Sequence, residues 1–282
     1  MRIAIVSDTH LSPRAPAFDY NLAVALAWVE AARIDLIVNL GDVTADGVSF
    51  PEEFDHAGRQ FSAAPVRMLA VPGNHDIGEA LKSPRSSGEA AFSEPALDEF
   101  RNVLGPDRWS IQRNGWQLVG LNAQLYGNGD TAEAEQDAWL DTVLMENDAP
   151  LGLFLHKPLF RDGLGGVQMH QRYLPPDHAA GLLARTTNRD LRFVIAGHTH
   201  QHRRLIVDDV EHVWAPSLAY VIPDTLQERI GEKLVAMMVL ELEPDAHRFE
   251  LVTPAGIVAN DLRDCAALYP HLAIPVDHGP NA

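Results

Sequence analysis

The sequence predicts an α/β class fold, built in layers with parallel strand pairing. Three observations carry that reading. Apolar runs alternate with amphipathic segments in the order β-α-β-α-β over residues 2–76. The apolar runs are short and rich in β-branched residues, as buried strands are, while the segments between them carry helical spacing. No composition break or linker divides the chain, so residues 1–264 read as one domain, followed by a tail at 265–282 with three prolines and little regular signal.

In chain order, "RIAIVSD" (2–8) reads as a buried strand. Residues 19–33 follow as a helix, with Leu22, Leu26 and Val29 on one face and Asp19 as the cap. "DLIVNLGD" (35–42) is a second strand, 52–63 a helix, and "VRMLAVPGNHD" (66–76) the third strand. Residues 79–94 are polar and small and lack core periodicity, which suits an exposed loop overhanging a site. Further on, 116–123 reads as a strand and 133–147 as a helix with Leu140, Val143 and Leu144 inward. "LGLFLH" (151–156) and "LRFVIAGH" (191–198) are strands around a helix near 177–186. Beyond residue 200 the text is β-rich, at 203–208, 211–215, 218–222, 233–242 and 247–253.

Composition narrows the function classes. A net charge of −17 over 282 residues opposes binding to nucleic-acid polymers and to acidic membranes. A small phosphate-bearing substrate remains compatible, because bound cations reverse the local field. Cys265 is the single cysteine, so there is neither an intrachain disulfide nor a thiolate metal site, which suits a reducing, cytoplasmic setting. No apolar run is long enough for a membrane span.

The chemistry lies at the strand ends. Asp8 and His10 follow the first strand, Gly41-Asp42 the second, and Asn74-His75-Asp76 the third; His156 ends 151–156, and His198 and His200 follow 191–196. In a parallel layered fold the carboxyl ends of strands gather at one edge, where ligand sites form. The spacings in Asp8-Thr9-His10 and His198-Thr199-His200 would point both side chains of each pair the same way from an extended chain. A carboxylate can bridge two cations while imidazoles and an amide oxygen complete two shells. Mixed N/O ligands without sulfur suit Fe, Mn, Zn or Co better than Ca or Mg. A pair of ions about 3.5–4 Å apart is the arrangement used for phosphoester displacement.

The set "SDTH", "GDV", "GNHD", His156 and "GHTH" resembles the calcineurin-like metallophosphoesterases over about residues 1 to 215, and within them most resembles the class III cyclic nucleotide phosphodiesterases and bacterial glycerophosphodiesterases. The resemblance implies a four-layer α/ββ/α sandwich of two mixed sheets flanked by helices, with a dinuclear centre. It implies that Asp8, His10 and His200 hold one metal, Asn74, His156 and His198 the other, and that Asp42 bridges them. His75 matches the family's non-ligand histidine beside the substrate, and Asp76 a neighbour that orients it. The expected chemistry is in-line attack of hydroxide on a small phosphodiester, with His75 as general acid to the leaving oxygen. A phosphomonoesterase or protein phosphatase on the same centre, and a catalytically silent scaffold, are the competing readings. The resemblance also implies a homodimer. One departure follows His156, where Lys157 stands in place of a second histidine. Lys157 and Arg161 are expected to be solvated charges, Arg85 is a remote candidate for phosphate contact, and His170, His178 and His202 are expected to be non-ligands.

Overall fold

The computed structural model describes residues 1–81, 83, 90–165 and 169–269. Its first sheet orders β12-β11-β1-β2-β3, from β1 (Arg2–Val6), β2 (Leu36–Asn39), β3 (Met68–Ala70), β11 (Met237–Leu242) and β12 (His247–Val252). Here β1, β2 and β3 pair in parallel, while β11 joins β1 antiparallel and carries β12. A second sheet orders β4-β5-β6-β7-β9-β8, from β4 (Trp109–Arg113), β5 (Trp116–Gly120), β6 (Leu151–Leu155), β7 (Leu191–Ala196), β8 (Arg203–Val207) and β9 (Val210–Trp214). Its strands β5, β6, β7 and β9 are parallel, with antiparallel β4 and β8 at the edges.

Strand alternation decides the layers. On β1, Ile3 and Ile5 enter one apolar cluster with Leu118, Phe154, Phe193 and Ile195 of the other sheet, which places the two sheets face to face. The opposite residues, Ala4 and Val6, meet helices α1 (Pro16–Ala31), α2 (Glu52–Ser62) and α4 (Glu94–Leu104) through Leu22, Ala25, Val29, Phe54, Ala57, Leu97 and Phe100. On the far side, Val119, Leu153, Leu155 and Val194 meet α5 (Thr131–Leu144) and α6 (Pro176–Arg185) through Leu140, Val143, Ala179 and Leu182. The four-layer α/ββ/α arrangement is therefore present. Gly152 is fixed by this packing, since a Cβ there would lie 2.1 Å from the Phe193 ring.

Several elements differ from the reading of the sequence. Asp19 is not the cap of α1: the helix starts earlier, with Ala15 at the N-cap and Pro16 in its first turn, and Asp19 instead accepts a hydrogen bond from His56 Nε2 at 2.8 Å. The 79–94 segment is partly packed, because Glu79 bridges Ala91 and Ser93 caps α4 by accepting from Ala96 N. Arg85 lies outside the described residues. A hairpin at β4–β5 turns on Asn114 and Gly115, both in the left-handed region at φ 51° and 81°. The tail is ordered at its start: a 3₁₀ helix spans Leu262–Leu268, and Tyr269 is buried. The rest of the tail lies outside the described residues. Among the described residues, no helix is long and apolar enough to cross a membrane.

His212 on β9 gives a pH prediction. It is buried against Phe160, with ring centroids 4.6 Å apart, and burial pushes its pKa down to about 4. The unfolded chain binds this proton below about pH 6.5 and the folded chain does not, so this group's contribution falls as pH drops from about 6.5 to about 4. Denaturant unfolding of His212→Phe beside the parent should show the parent losing about 2–3 kcal/mol more over that window.

Candidate metal centre

Five loops at the carboxyl ends of β1, β2, β3, β6 and β7 meet at one edge of the sandwich. The site therefore straddles both sheets rather than the edge of one. Backbone hydrogen bonds join the loops: Asp8 N donates to Gly41 O at 3.0 Å, His10 N to Asp42 O at 2.9 Å, and Gly197 N to His156 O at 2.9 Å. Leu218 N donates to Ser7 O at 2.9 Å, and Ser217 Oγ donates to Asp8 O at 2.9 Å.

The seven residues named from the sequence as ligands come together. Asp8, His10 and His200 form one group in which the candidate ligand atoms lie within 4.8 Å of one another, Asp42, His156 and His198 form another, and His10, Asp42 and His75 a third that overlaps both. His200 Nε2 is 3.3 Å from Asp8 Oδ1 and 3.3 Å from His10 Nε2. His156 Nε2 is 3.3 Å from Asp42 Oδ2, 3.1 Å from Asn74 Oδ1 and 3.1 Å from His198 Nδ1. Asp42 Oδ2 also lies 3.9 Å from His10 Nε2, so this carboxylate stands between the groups. Around a cation bound at about 2.1 Å, ligand atoms sit about 3.0 to 4.2 Å apart, which matches this spread.

The tautomers sharpen the point. A carbonyl oxygen can only accept, so His156 Nδ1 donates to Leu40 O at 2.8 Å, His200 Nδ1 to Tyr220 O at 3.0 Å, and His198 Nε2 to Gln171 O at 3.2 Å. The remaining nitrogen of each neutral ring then presents a lone pair to the interior. His156 Nε2 and His198 Nδ1 thus face each other at 3.1 Å with no hydrogen between them unless one ring is protonated. A shared cation removes that repulsion, and each hydrogen bond on the far nitrogen fixes its ring for the purpose. The donor set fits a pair of cations.

The electrostatics differ from ring to ring. Burial pushes His10 and His198 down, which favours the neutral ligand form. Burial alone would lower His156, but the Asp42 carboxylate outweighs it and lifts the ring to about 9, so a bound cation would displace this ring's proton. Burial would raise Asp42, yet His156 and His75 hold it well below the ordinary carboxylate range, so this carboxylate keeps its charge.

The backbone here is strained. Asp8, His10, Asp42, His198 and His200 all occupy the left-handed region, at φ 51°, 47°, 49°, 64° and 53°. The paired spacings therefore do not work through an extended chain. Each pair alternates left-handed residues in a loop that turns back over the sheet edge. Two glycines permit the close approach: a Cβ on Gly73 would lie 2.2 Å from Asp42 Oδ1, and one on Gly197 would lie 1.9 Å from Ser7 Oγ.

His75 sits in the one-turn helix α3 (Asn74–Ile77), half-buried beside the cluster. Its backbone N donates to Asp42 Oδ1 at 2.8 Å, and its ring lies 4.8 Å from that of His10. Nδ1 donates to Ala45 O at 2.7 Å, so the neutral ring carries its proton on Nδ1. Asp76 does a different job from the one expected. Its carboxylate accepts from Val43 N, Thr44 N, Thr44 Oγ1 and Gly73 N, at 3.1, 2.8, 2.8 and 2.8 Å, and so clasps the Asp42 loop to the Asn74 loop. Burial and the neighbouring Asp42 charge raise it to about 6. The orienting hydrogen bond to the His75 ring comes from the Ala45 carbonyl.

Lys157 also differs: it is not a solvated charge. Its side chain is 2% exposed and paired with Glu79, with Ser83 Oγ at 3.4 Å. The pair ties the strand end bearing His156 to the segment leaving α3. Lys157→Met alone should cost about 3–5 kcal/mol in denaturant unfolding, since it strands the Glu79 carboxylate, and Lys157→Met with Glu79→Leu should recover most of it. Arg161 is exposed as expected, 3.2 Å from Glu228. His178 pairs with Glu133 at 2.7 Å and His202 bonds to Trp214 O at 3.1 Å. Neither they nor His170 join a metal-capable group among the described residues.

A model of the calcineurin-like phosphoesterase family matches residues 1–202. The chain belongs to that family. A probable cyclic nucleotide phosphodiesterase of Psychrobacter arcticus is 24% identical over 234 residues, covering 76% of this chain and 79% of the relative. A probable glycerophosphodiester phosphodiesterase of Arcobacter nitrofigilis is 25% identical over 213 residues, covering 71% and 72%. Among solved structures, a dimetal phosphatase of Danio rerio superposes with a TM-score of 0.62 at 15% identity, over 89% of this chain and 95% of that one. At that identity the likeness shows the calcineurin-like phosphoesterase fold alone.

Proposed function

We propose that this phosphoesterase is a dinuclear metal-dependent hydrolase of small phosphodiesters, of the cyclic nucleotide or glycerophosphodiester type. The observation that carries the reading is the pair of buried donor groups on either side of Asp42, with ring nitrogens facing across 3.1 and 3.3 Å. Asp8, His10 and His200 would hold one cation, Asn74, His156 and His198 the other, and Asp42 both; Fe, Mn, Zn or Co suits the donors. Bound there, the cations supply Lewis acidity, which offsets the charge of the diester and makes water acidic enough to react near neutral pH.

The chain's own residues do the rest. Asp42, kept ionised, sets the spacing of the two groups. His75, held through Nδ1, would act in its doubly protonated form, giving the Nε2 proton to the leaving oxygen as the P–O bond breaks and keeping the Nδ1 proton on Ala45 O. Diesters are favoured over monoesters by the fate of the nearby cations. Lys157 and Arg161 are each paired with a carboxylate, so neither brings uncompensated charge to the second anionic oxygen of a monoester. The curated relatives named as phosphodiesterases point the same way.

The test is hydrolysis of bis-p-nitrophenyl phosphate against p-nitrophenyl phosphate under added Mn, alongside metal analysis of the purified protein. A clear preference for the diester with two bound equivalents is expected. Faster monoester hydrolysis overturns the substrate class, and neither metal nor turnover would favour a silent scaffold. A panel of 3′,5′- and 2′,3′-cyclic nucleotides and glycerophosphodiesters then selects the substrate.

A further inference from the structure

We propose that Tyr269 is a positioning residue of the metal centre: its hydroxyl holds the His10 ring so that Nε2 faces the cation shared with Asp8 and His200. The inference rests on the two-cation reading above. Three of the four inward-facing imidazoles are fixed by backbone carbonyls, those of Leu40, Gln171 and Tyr220. Substitution of those residues leaves the carbonyls in place. His10 is the exception, because its Nδ1 meets a side-chain oxygen, the hydroxyl of Tyr269, at 2.9 Å. With Nε2 given to a cation, the neutral ring carries its proton on Nδ1, and the phenol oxygen accepts it.

The position of Tyr269 is built rather than incidental. The residue is 1% exposed. Its ring stands edge-on to His10 and to His75, with centroids 6.0 and 5.3 Å apart, and 5.9 Å from Tyr220. The chain reaches it through β13 (Asn260–Asp261), which pairs in parallel with β10 (Tyr220–Val221), and then the 3₁₀ helix Leu262–Leu268. Asn260 Nδ2 donates to Ala219 O at 2.9 Å, anchoring the segment to the loop that presents Tyr220. Ala15, Phe18, Ala219, Tyr220 and Leu262 form the apolar seat around Tyr269, with Leu268 packed against it. Tyr269 and the segment that carries it from Asn260 lie beyond residue 202, where the family match ends, so the C-terminal segment contributes a residue that the matched region does not contain.

The experiment titrates the full chain, stripped of metal by chelation, with Co²⁺ alone, following visible absorption and calorimetric heat. The parent should take up two equivalents. Tyr269→Phe keeps the ring and loses only the hydroxyl. It should bind one equivalent as the parent does and the other about 10–100-fold more weakly. Leu268→Ala, which loosens the same seat without touching His10, should lower the melting temperature and leave both affinities unchanged. An unaltered titration for Tyr269→Phe overturns the inference while the two-cation reading stands. Equal weakening by Leu268→Ala overturns it too, since packing alone would then explain the loss. A parent that binds no Co²⁺ overturns both readings.

Discussion

Asp42→Asn should abolish turnover, by more than about 10³-fold, and release both cations. Asp42 Oδ2 is 3.3 Å from His156 Nε2 and 3.9 Å from His10 Nε2, so one atom serves both groups. The amide has almost the same shape but carries no charge, and its NH₂ would point hydrogens at lone pairs that need a cation. That change suits the empty site, because an NH₂ beside His156 and His10 satisfies the facing nitrogens. The variant should therefore fold and melt near the parent's metal-free temperature while binding neither Mn²⁺ nor Co²⁺. Metal analysis beside thermal unfolding separates this from general collapse. A variant that retains two equivalents and appreciable turnover removes Asp42 from the bridging role.

The second large effect concerns His75. His75→Ala should lower turnover by about 10²–10⁴-fold on diesters with alkoxide leaving groups and far less on activated aryl diesters, whose leaving oxygen needs no proton. The geometry makes the two cases separable. Ala45 O fixes the ring through Nδ1, and although His75 also groups with His10 and Asp42, its removal leaves the Asp8, His10, His200 and the Asp42, His156, His198 groups whole. Metal content should stay at two equivalents. Equal losses on both substrate classes would deny His75 the role of acid, and loss of metal would make it a support of the centre instead.

Much of this centre was legible because its chemistry is carried by residue types that packing does not call for. Imidazoles and carboxylates at the ends of apolar runs have few other reasons to be there, and parallel pairing brings such ends together. What supports them was not legible. The carbonyls of Leu40, Ala45, Gln171 and Tyr220 leave no mark in the sequence, because every residue carries one. Asp76 looked like a partner for His75 because it is adjacent in sequence, but in the one-turn helix its carboxylate swings back to Gly73 N and the 42–44 loop. Lys157 looked like a surface charge until Glu79 was found beside it, 78 positions away. Tyr269 stands next to Pro270 in a segment without periodicity, and only the tertiary path through Asn260–Asp261 brings it to His10.

For the fold, the central strands were readable from length and β-branching. The α4 helix and the β4 strand went unread, though Ser93-Glu94-Pro95 and Asn114-Gly115 are start and turn signals of the expected kind. The strain at Asp8, His10, Asp42, His198 and His200 was hidden as well. Left-handed Asp and His residues are unusual, and nothing in "SDTH" or "GHTH" distinguishes them from an extended chain.

The most direct measurement is anomalous diffraction from crystals grown with Mn²⁺. The account predicts two anomalous peaks about 3.5–4 Å apart with the Asp42 carboxylate between them, one bounded by Asp8, His10 and His200 and the other by Asn74, His156 and His198. A single peak, or none among these residues at saturating Mn²⁺, would contradict it.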